Sequence, residues 1–216
     1  NICRAAGAAR VKGGGANSPG RSFNDYDGDG LADGALCSTN MLVWTVLCSS
    51  TRYRDCVVVE TGQTQWDAVP GDYEGSGQTC AGVYVPSLGY WYVWFPAGGE
   101  GRSFFLGGPE YAAAPCDFDG DAKTDPVVYR PADGWWYGAS SADGYAVKEA
   151  PGMWAGYVPV PGDFDGDGLA DPAAYYNRNT GAWIIGPSAS GYSALTGTFG
   201  GPGWIAVPAD YDGDGL

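Results

Sequence analysis

Residues 25–33 read DYDGDGLAD, and the pattern returns at 72–80 (DYEGSGQTC), 117–125 (DFDGDAKTD), 163–171 (DFDGDGLAD) and 210–216 (DYDGDGL). The starts lie 47, 45, 46 and 47 residues apart. The rest of the unit keeps step with this motif. An aromatic stands six residues before each loop from the second onward: Trp66, Tyr111, Tyr157 and Trp204. A tryptophan follows 19 or 20 residues after each start: Trp44, Trp91, Trp136 and Trp183. A fixed period in this range marks a repeat architecture whose units bury their apolar faces against one another.

Within a unit the pattern is that of strands. In the fourth, residues 172–176 read as a strand and residues 177–181 as a turn. Further strands follow through Trp183 to Ile185 and around Tyr192 to Leu195, and residues of the 204–208 type supply one more short strand of the unit. Four short antiparallel strands in about 46 residues is the content of one propeller blade. Gly 37 and Pro 15, with plentiful Tyr, Trp and Val, disfavour helix and suit pleated sheet. The expectation is an all-β propeller of four-stranded antiparallel blades over residues 25–216, the last unit incomplete. Residues 1–24, rich in Gly, Ala and Arg, form a divergent N-terminal segment or half blade. The final motif breaks off at Leu216, before its ninth position, which suggests a fragment of a longer array or a unit completed by a neighbouring copy.

The formal charge of −14 has an address. Fifteen of the 25 acidic residues sit in four of the loops, and Asp72 and Glu74 sit in the degraded second one. The remaining eight are outnumbered by 11 Lys and Arg. Nucleic-acid binding and a general acidic surface are therefore not indicated. The spacing D-x-D-x-D-G-x-x-D brings side-chain oxygens from positions 1, 3, 5 and 9 together, with a backbone carbonyl expected from position 7. Hard oxygen donors in a flexible loop suit Ca²⁺ better than zinc or copper. An EF-hand would need Glu at position 12, where this chain has Leu36, Val128 and Ala174.

The loops resemble those of FG-GAP repeats in integrin α-subunit propellers and of the related bacterial VCBS-type repeats. That resemblance implies calcium ligands at Asp25, Asp27, Asp29 and Asp33; at Asp117, Asp119, Asp121 and Asp125; and at Asp163, Asp165, Asp167 and Asp171. Leu31, Lys123 and Leu169 stand at the backbone-donor position. Asp210, Asp212 and Asp214 make an incomplete site. Ala122 replaces the usual Gly, which predicts a strained turn. The second loop ends in Cys80 and is expected to bind poorly.

Six cysteines, no C-x-x-C pair and no His argue for disulfides in an oxidising, extracellular setting rather than zinc. Aligning the first unit on the fourth places Cys48 and Cys56 opposite one another. Cys80 stands where a ligand is missing and Cys116 directly precedes the next loop, so a bridge between them would replace the ion. Cys3 and Cys37 remain. Fifteen connectivities are open.

Without His, no Ser-His-Asp or Cys-His arrangement exists, and the acids outside the loops share no pattern. The chain is thus expected to be no enzyme. The favoured reading is a secreted or cell-surface calcium module for adhesion or fibre assembly, with protein partners or self-assembly. One alternative is lectin-like glycan binding on the out-of-phase Trp94, Trp135 and Trp154. Another is an ancillary domain of a secreted polysaccharide-degrading enzyme. No apolar run is long enough to cross a membrane as a helix.

Overall fold

The structure is a computed structural model that describes residues 24–38, 43–62, 65–95, 101–151, 155–176 and 180–206. Asp210, Asp212, Asp214, Trp154, Cys3 and the N-terminal segment to residue 23 lie outside the described residues. The described chain holds fifteen strands and three 3-10 turns, with no α-helix, and so none long and apolar enough to cross a membrane.

The strands form four antiparallel sheets in chain order. Blade 1 has β1 (Gly34–Ser38), β2 (Val43–Leu47) and β3 (Cys56–Glu60). Blade 2 has β4 (Asp67–Ala68), β5 (Ala81–Val85), β6 (Tyr90–Trp94) and β7 (Arg102–Phe105). Blade 3 has β8 (Ala112–Ala113), β9 (Val127–Arg130), β10 (Trp135–Ser140) and β11 (Ala146–Ala150). Blade 4 has β12 (Val158–Pro159), β13 (Ala173–Tyr176), β14 (Ala182–Ile185) and β15 (Leu195–Thr198). Each blade is a meander of consecutive strands, as a propeller requires. The Asp loop joins the short first strand of a blade to its second.

Alternation along the strands sends side chains to both faces, and the facing sides of successive blades pack on one another. Tyr26, Trp44 and Val46 of blade 1 meet Trp66, Ala68, Val83 and Val85 of blade 2. Tyr84, Trp91 and Leu106 of blade 2 meet Ala113, Val128 and Ala139 of blade 3. Tyr129, Trp136 and Ala150 of blade 3 meet Tyr157 and Ala170 of blade 4. The in-phase tryptophans are the pillars of these seams. Trp91, Trp136 and Trp183 stand opposite Tyr84, Tyr129 and Tyr175 in the ladders, with ring centroids 5.0, 5.2 and 5.0 Å apart. Repetition of an aromatic in every unit thus reflects packing, as expected, and Trp66 is buried for the same reason.

Two details depart from the sequence reading. The last strand of the fourth unit runs over Leu195–Thr198 rather than around Tyr192 to Leu195. The residues before it are taken up by the 3-10 turn Ser188–Ser190 and by Gly191 and Tyr192 at positive φ. Trp204 is exposed rather than packed, and residues 204–206 belong to no strand.

The cysteine expectations also change. Cys80 and Cys116 are separate buried thiols, so the Cys80–Cys116 bridge is not formed. The side chain of Cys56 is not among those described, and the Cys48–Cys56 pairing lies outside them with it. Cys37 is disulfide-bonded. Burial pushes the Cys80 thiol up to about 12 and Cys116 well above its ordinary range, so both stay neutral.

Candidate metal centres

Each loop is wound around its first aspartate. Asp25 accepts from the backbone N–H of Gly28 and Gly30 at 2.6 and 2.9 Å. Asp117 accepts from Gly120 and Ala122 at 2.7 and 2.8 Å, and Asp163 from Gly166 and Gly168 at 2.7 and 3.2 Å. Asp72 of the degraded loop does the same with Gly75 and Gly77, at 2.8 and 2.6 Å. The turn geometry therefore survives without the ninth carboxylate. In the third loop Ala122 adopts φ 69°, the left-handed region that the missing glycine would have entered freely, so the expected strain is present.

The ninth aspartate ties the loop to the rest of its blade. Asp33 accepts from the N–H of Tyr26 and of Ser49, both at 2.6 Å. Asp125 accepts from Phe118 and Ser141 at 3.0 and 2.8 Å. Asp171 accepts from Phe164 and Ser188 at 2.8 and 2.7 Å. Ser49, Ser141 and Ser188 each open a 3-10 turn, after β2, β10 and β14 respectively. Their hydroxyls donate to the fifth loop position, Asp29 at 2.9 Å, Asp121 at 2.9 Å and Asp167 at 2.6 Å. The third position is held from the same turns. Asp27 accepts from the Ser50 hydroxyl, Asp119 from the Ser140 hydroxyl and the Ala142 N–H, and Asp165 from the Ala189 N–H.

Sequence reasoning missed this serine turn, although a signal existed. Serine recurs 24 or 25 residues after the loop start at Ser49, Ser141 and Ser188, while the second unit has Pro96 there. The unit that lost its ninth aspartate also lost the serine that would have braced the loop.

Three groups of carboxylates have converging oxygens, all within 4.8 Å of one another: Asp25, Asp27 and Asp29; Asp117, Asp119 and Asp125; and Asp163, Asp165 and Asp171. These clusters can hold a metal ion. In the other two loops the ninth-position carboxylate completes the group of three in place of the fifth, and Asp121 is paired instead with the Lys123 ammonium at 2.8 Å. At the seventh position Leu31, Lys123 and Leu169 donate their N–H to the fifth carboxylate.

The electrostatics match a cation site. Burial raises Asp117 to about 6 and Asp125 to about 7, and also raises Asp171. A buried carboxylate without a countercharge is disfavoured, and carboxylates about 5 Å apart repel by roughly 3 kcal/mol per pair at an effective dielectric near 20. A divalent ion relieves both terms.

The loops are also stitched to one another. The N–H of the eighth position donates to the first aspartate's carbonyl in the preceding loop: Thr79 to Asp25 at 2.6 Å, Thr124 to Asp72 at 2.8 Å, Ala170 to Asp117 at 2.7 Å. The seventh side chain lies over the fourth-position glycine of that preceding loop, Gln78 on Gly28, Lys123 on Gly75 and Leu169 on Gly120.

Of the three candidate sugar-stacking tryptophans, Trp154 lies outside the described residues, and Trp94 and Trp135 stand on different blades. Trp94 ends β6 and is half-buried, whereas Trp135 opens β10 and is exposed. Trp94 instead continues a stacked row with Tyr92 and Tyr90, with centroids 6.4 and 6.1 Å apart.

No protein-family model matches the sequence, and no curated protein shows significant similarity to it. Among solved structures a streptogramin B lyase is similar in fold, with TM-score 0.54 at 9% identity, covering 77% of this chain and 51% of that one. The chain spans about half the length of that protein. A lyase is an enzyme, so the expectation that this chain is none, drawn from its missing histidine, is corrected: this architecture carries catalysis. The identity is low enough that the likeness concerns fold alone. With its meander sheets packed face to face, the chain is an all-β protein built from propeller blades.

Proposed function

We propose that this chain is an extracellular calcium-binding repeat module of the FG-GAP and VCBS type, in which ions fix neighbouring blades for adhesion or surface assembly. The observation that carries this reading is the recurrence of an oxygen-only cluster, built each time on the first and third aspartates of the loop, in blades 1, 3 and 4. Oxygen donors without nitrogen or sulfur favour Ca²⁺, and a flexible loop tolerates its irregular coordination. Extracellular calcium modules bind at about 10⁻⁴ to 10⁻³ M, so at millimolar calcium each site adds roughly 0.4 to 1.4 kcal/mol. Three sites then supply about 1 to 4 kcal/mol, a noticeable part of a typical net stability of about 5 to 15 kcal/mol.

Calcium titration by calorimetry, paired with melting in calcium and in a chelator, tests this. Binding at the three clusters and a lower melting temperature in chelator are expected. Absence of heat together with identical melting curves would reject calcium as the resident ion.

Glycan binding is a second reading with its own observation. Tyr92 and Trp94, two members of the stacked row, border a groove of about 290 Å³ that also takes in Arg102 and Ser103. Aromatic faces beside polar donors suit sugar rings. Loss of glycan-array signal in Trp94→Ala would support it, and a silent wild-type array would remove it.

A further inference from the structure

The first, third and fourth loops hold their fifth carboxylate alike, and the third adds a charge to the arrangement. Asp29, Asp121 and Asp167 each accept two bonds of the same kind. One comes from the backbone N–H of the seventh position, Leu31, Lys123 or Leu169, at 2.8, 3.0 and 2.9 Å. The other comes from the hydroxyl of the serine turn, Ser49, Ser141 or Ser188, at 2.9, 2.9 and 2.6 Å. To these Asp121 adds a third partner, the Lys123 ammonium, 2.8 Å from the same Oδ2 that takes the Ser141 hydroxyl. Leucine stands at that position in the first and fourth loops and brings no charge.

The ammonium is positioned by more than this contact. The Lys123 stem leans on the second loop along its length, so that a methyl group on Gly75 would meet its Cγ, Cδ and Cε at 3.1 to 3.5 Å. The main chain is pinned on both sides as well. Lys123 donates its N–H to Asp121, and Thr124 donates to the Asp72 carbonyl at 2.8 Å. The pair is largely covered, with the Lys123 and Asp121 side chains 33% and 17% exposed. Ligand charge is one of the quantities that set the affinity of a calcium loop. The first and fourth loops carry a formal −4 each, whereas Lys123 brings the third to −3. A cation entering the third loop must either forgo the Asp121 oxygen or displace the ammonium from it. In both cases a like charge remains close by and opposes binding.

We propose that Lys123 is a built-in counter-ion of the third loop, which lowers that site's calcium affinity below those of the first and fourth and holds the loop in shape when the ion leaves. The inference rests on the calcium reading of the loops and adds an order to their filling, with the third site last. Asp117, Asp119 and Asp125 converge within 4.8 Å, and a fixed positive charge on the neighbouring Asp121 offsets part of their repulsion. Lys123 is thus a positioning residue with two opposed effects. It steadies the ion-free loop and competes with the ion.

The test is calorimetric calcium titration, with melting in chelator, of the 216-residue chain carrying Lys123→Leu, Lys123→Met, Lys123→Arg or Leu169→Lys. Leucine is what the first and fourth loops carry, methionine keeps an unbranched stem without the charge, and arginine keeps the charge. The wild type is expected to show a weaker class of site, which Lys123→Leu and Lys123→Met tighten by about tenfold, the effect of one charge in the loop. Lys123→Arg should keep the wild-type constants, and Leu169→Lys should move one tight site into the weak class. In chelator the Leu and Met variants should melt below wild type. A lysine that only packs would not tie lower melting to tighter binding. Wild-type constants in Lys123→Leu and Lys123→Met, or undiminished binding in Leu169→Lys, would overturn the inference and leave the calcium reading standing. A wild type that takes up no calcium would overturn both together.

Discussion

Replacing Asp125 by Asn is expected to move the ion-free and the calcium-loaded protein in opposite directions. Asp125 is fully buried, and burial lifts its carboxyl to about 7. In the unfolded chain it titrates near 4, so three pH units at about 1.4 kcal/mol each separate the two states. The sign follows from the raised value. The stability linked to this proton is fully present below about pH 4 and is lost as pH rises through 7. At pH 7.5 without ions the carboxylate therefore costs the fold about 4 kcal/mol. Asparagine removes that cost but can serve only one of the amides of Phe118 and Ser141, and an unmet buried donor costs about 1 to 3 kcal/mol. The net gain for the ion-free variant is about 1 to 3 kcal/mol, or roughly 2 to 12 °C for a domain of this size. In calcium the ranking turns, because the third loop loses a charge and its affinity falls by about tenfold or more. Differential scanning calorimetry in chelator and in calcium, at pH 7.5 and pH 4.5, reads all of this. The chelator gain should vanish at pH 4.5, where the wild-type carboxyl is already protonated. A variant that melts below wild type in chelator at pH 7.5, by the same margin at pH 4.5, would refute the burial argument.

Ala122→Gly should stabilise the protein by about 0.5 to 1 kcal/mol, because glycine enters φ 69° without the Cβ clash; chemical denaturation measures it. Trp136→Ala removes a pillar between blades 3 and 4 and is expected to cost about 3 to 5 kcal/mol, read in the same assay. Cys80 and Cys116 should resist alkylation in the folded protein and react on unfolding, with mass spectrometry showing two separate adducts; a mass deficit from a bridge between them would contradict the fold.

The repeat period was readable because each unit carries the same turn chemistry and the same pair of pillar residues. Asp25, Asp117 and Asp163 announce the loops since nothing else in a sheet protein needs acids at alternate positions. The brace from Ser49, Ser141 and Ser188 was not readable in the same way. It comes from a turn two strands further on, and a lone serine in a turn carries no periodic signature without the fold. The cysteines misled for a related reason: Cys80 ends the second loop and Cys116 directly precedes the third, but neighbouring places in the repeat say nothing of whether two sulfurs approach. Nor does the period reveal where a blade begins. The first strand precedes the loop, so Trp204 and its neighbours belong to the unit that follows them.

The stitching of successive loops gives the impaired second one a reason to keep its shape. Thr79 grips the first loop while the Asp72 carbonyl is gripped by the third, so this segment is spliced into a string rather than hanging from its own blade. Decay of its donors spoils a site without breaking the string. A lineage of such repeats can therefore shed ions one at a time and still hand the geometry of each loop to the next.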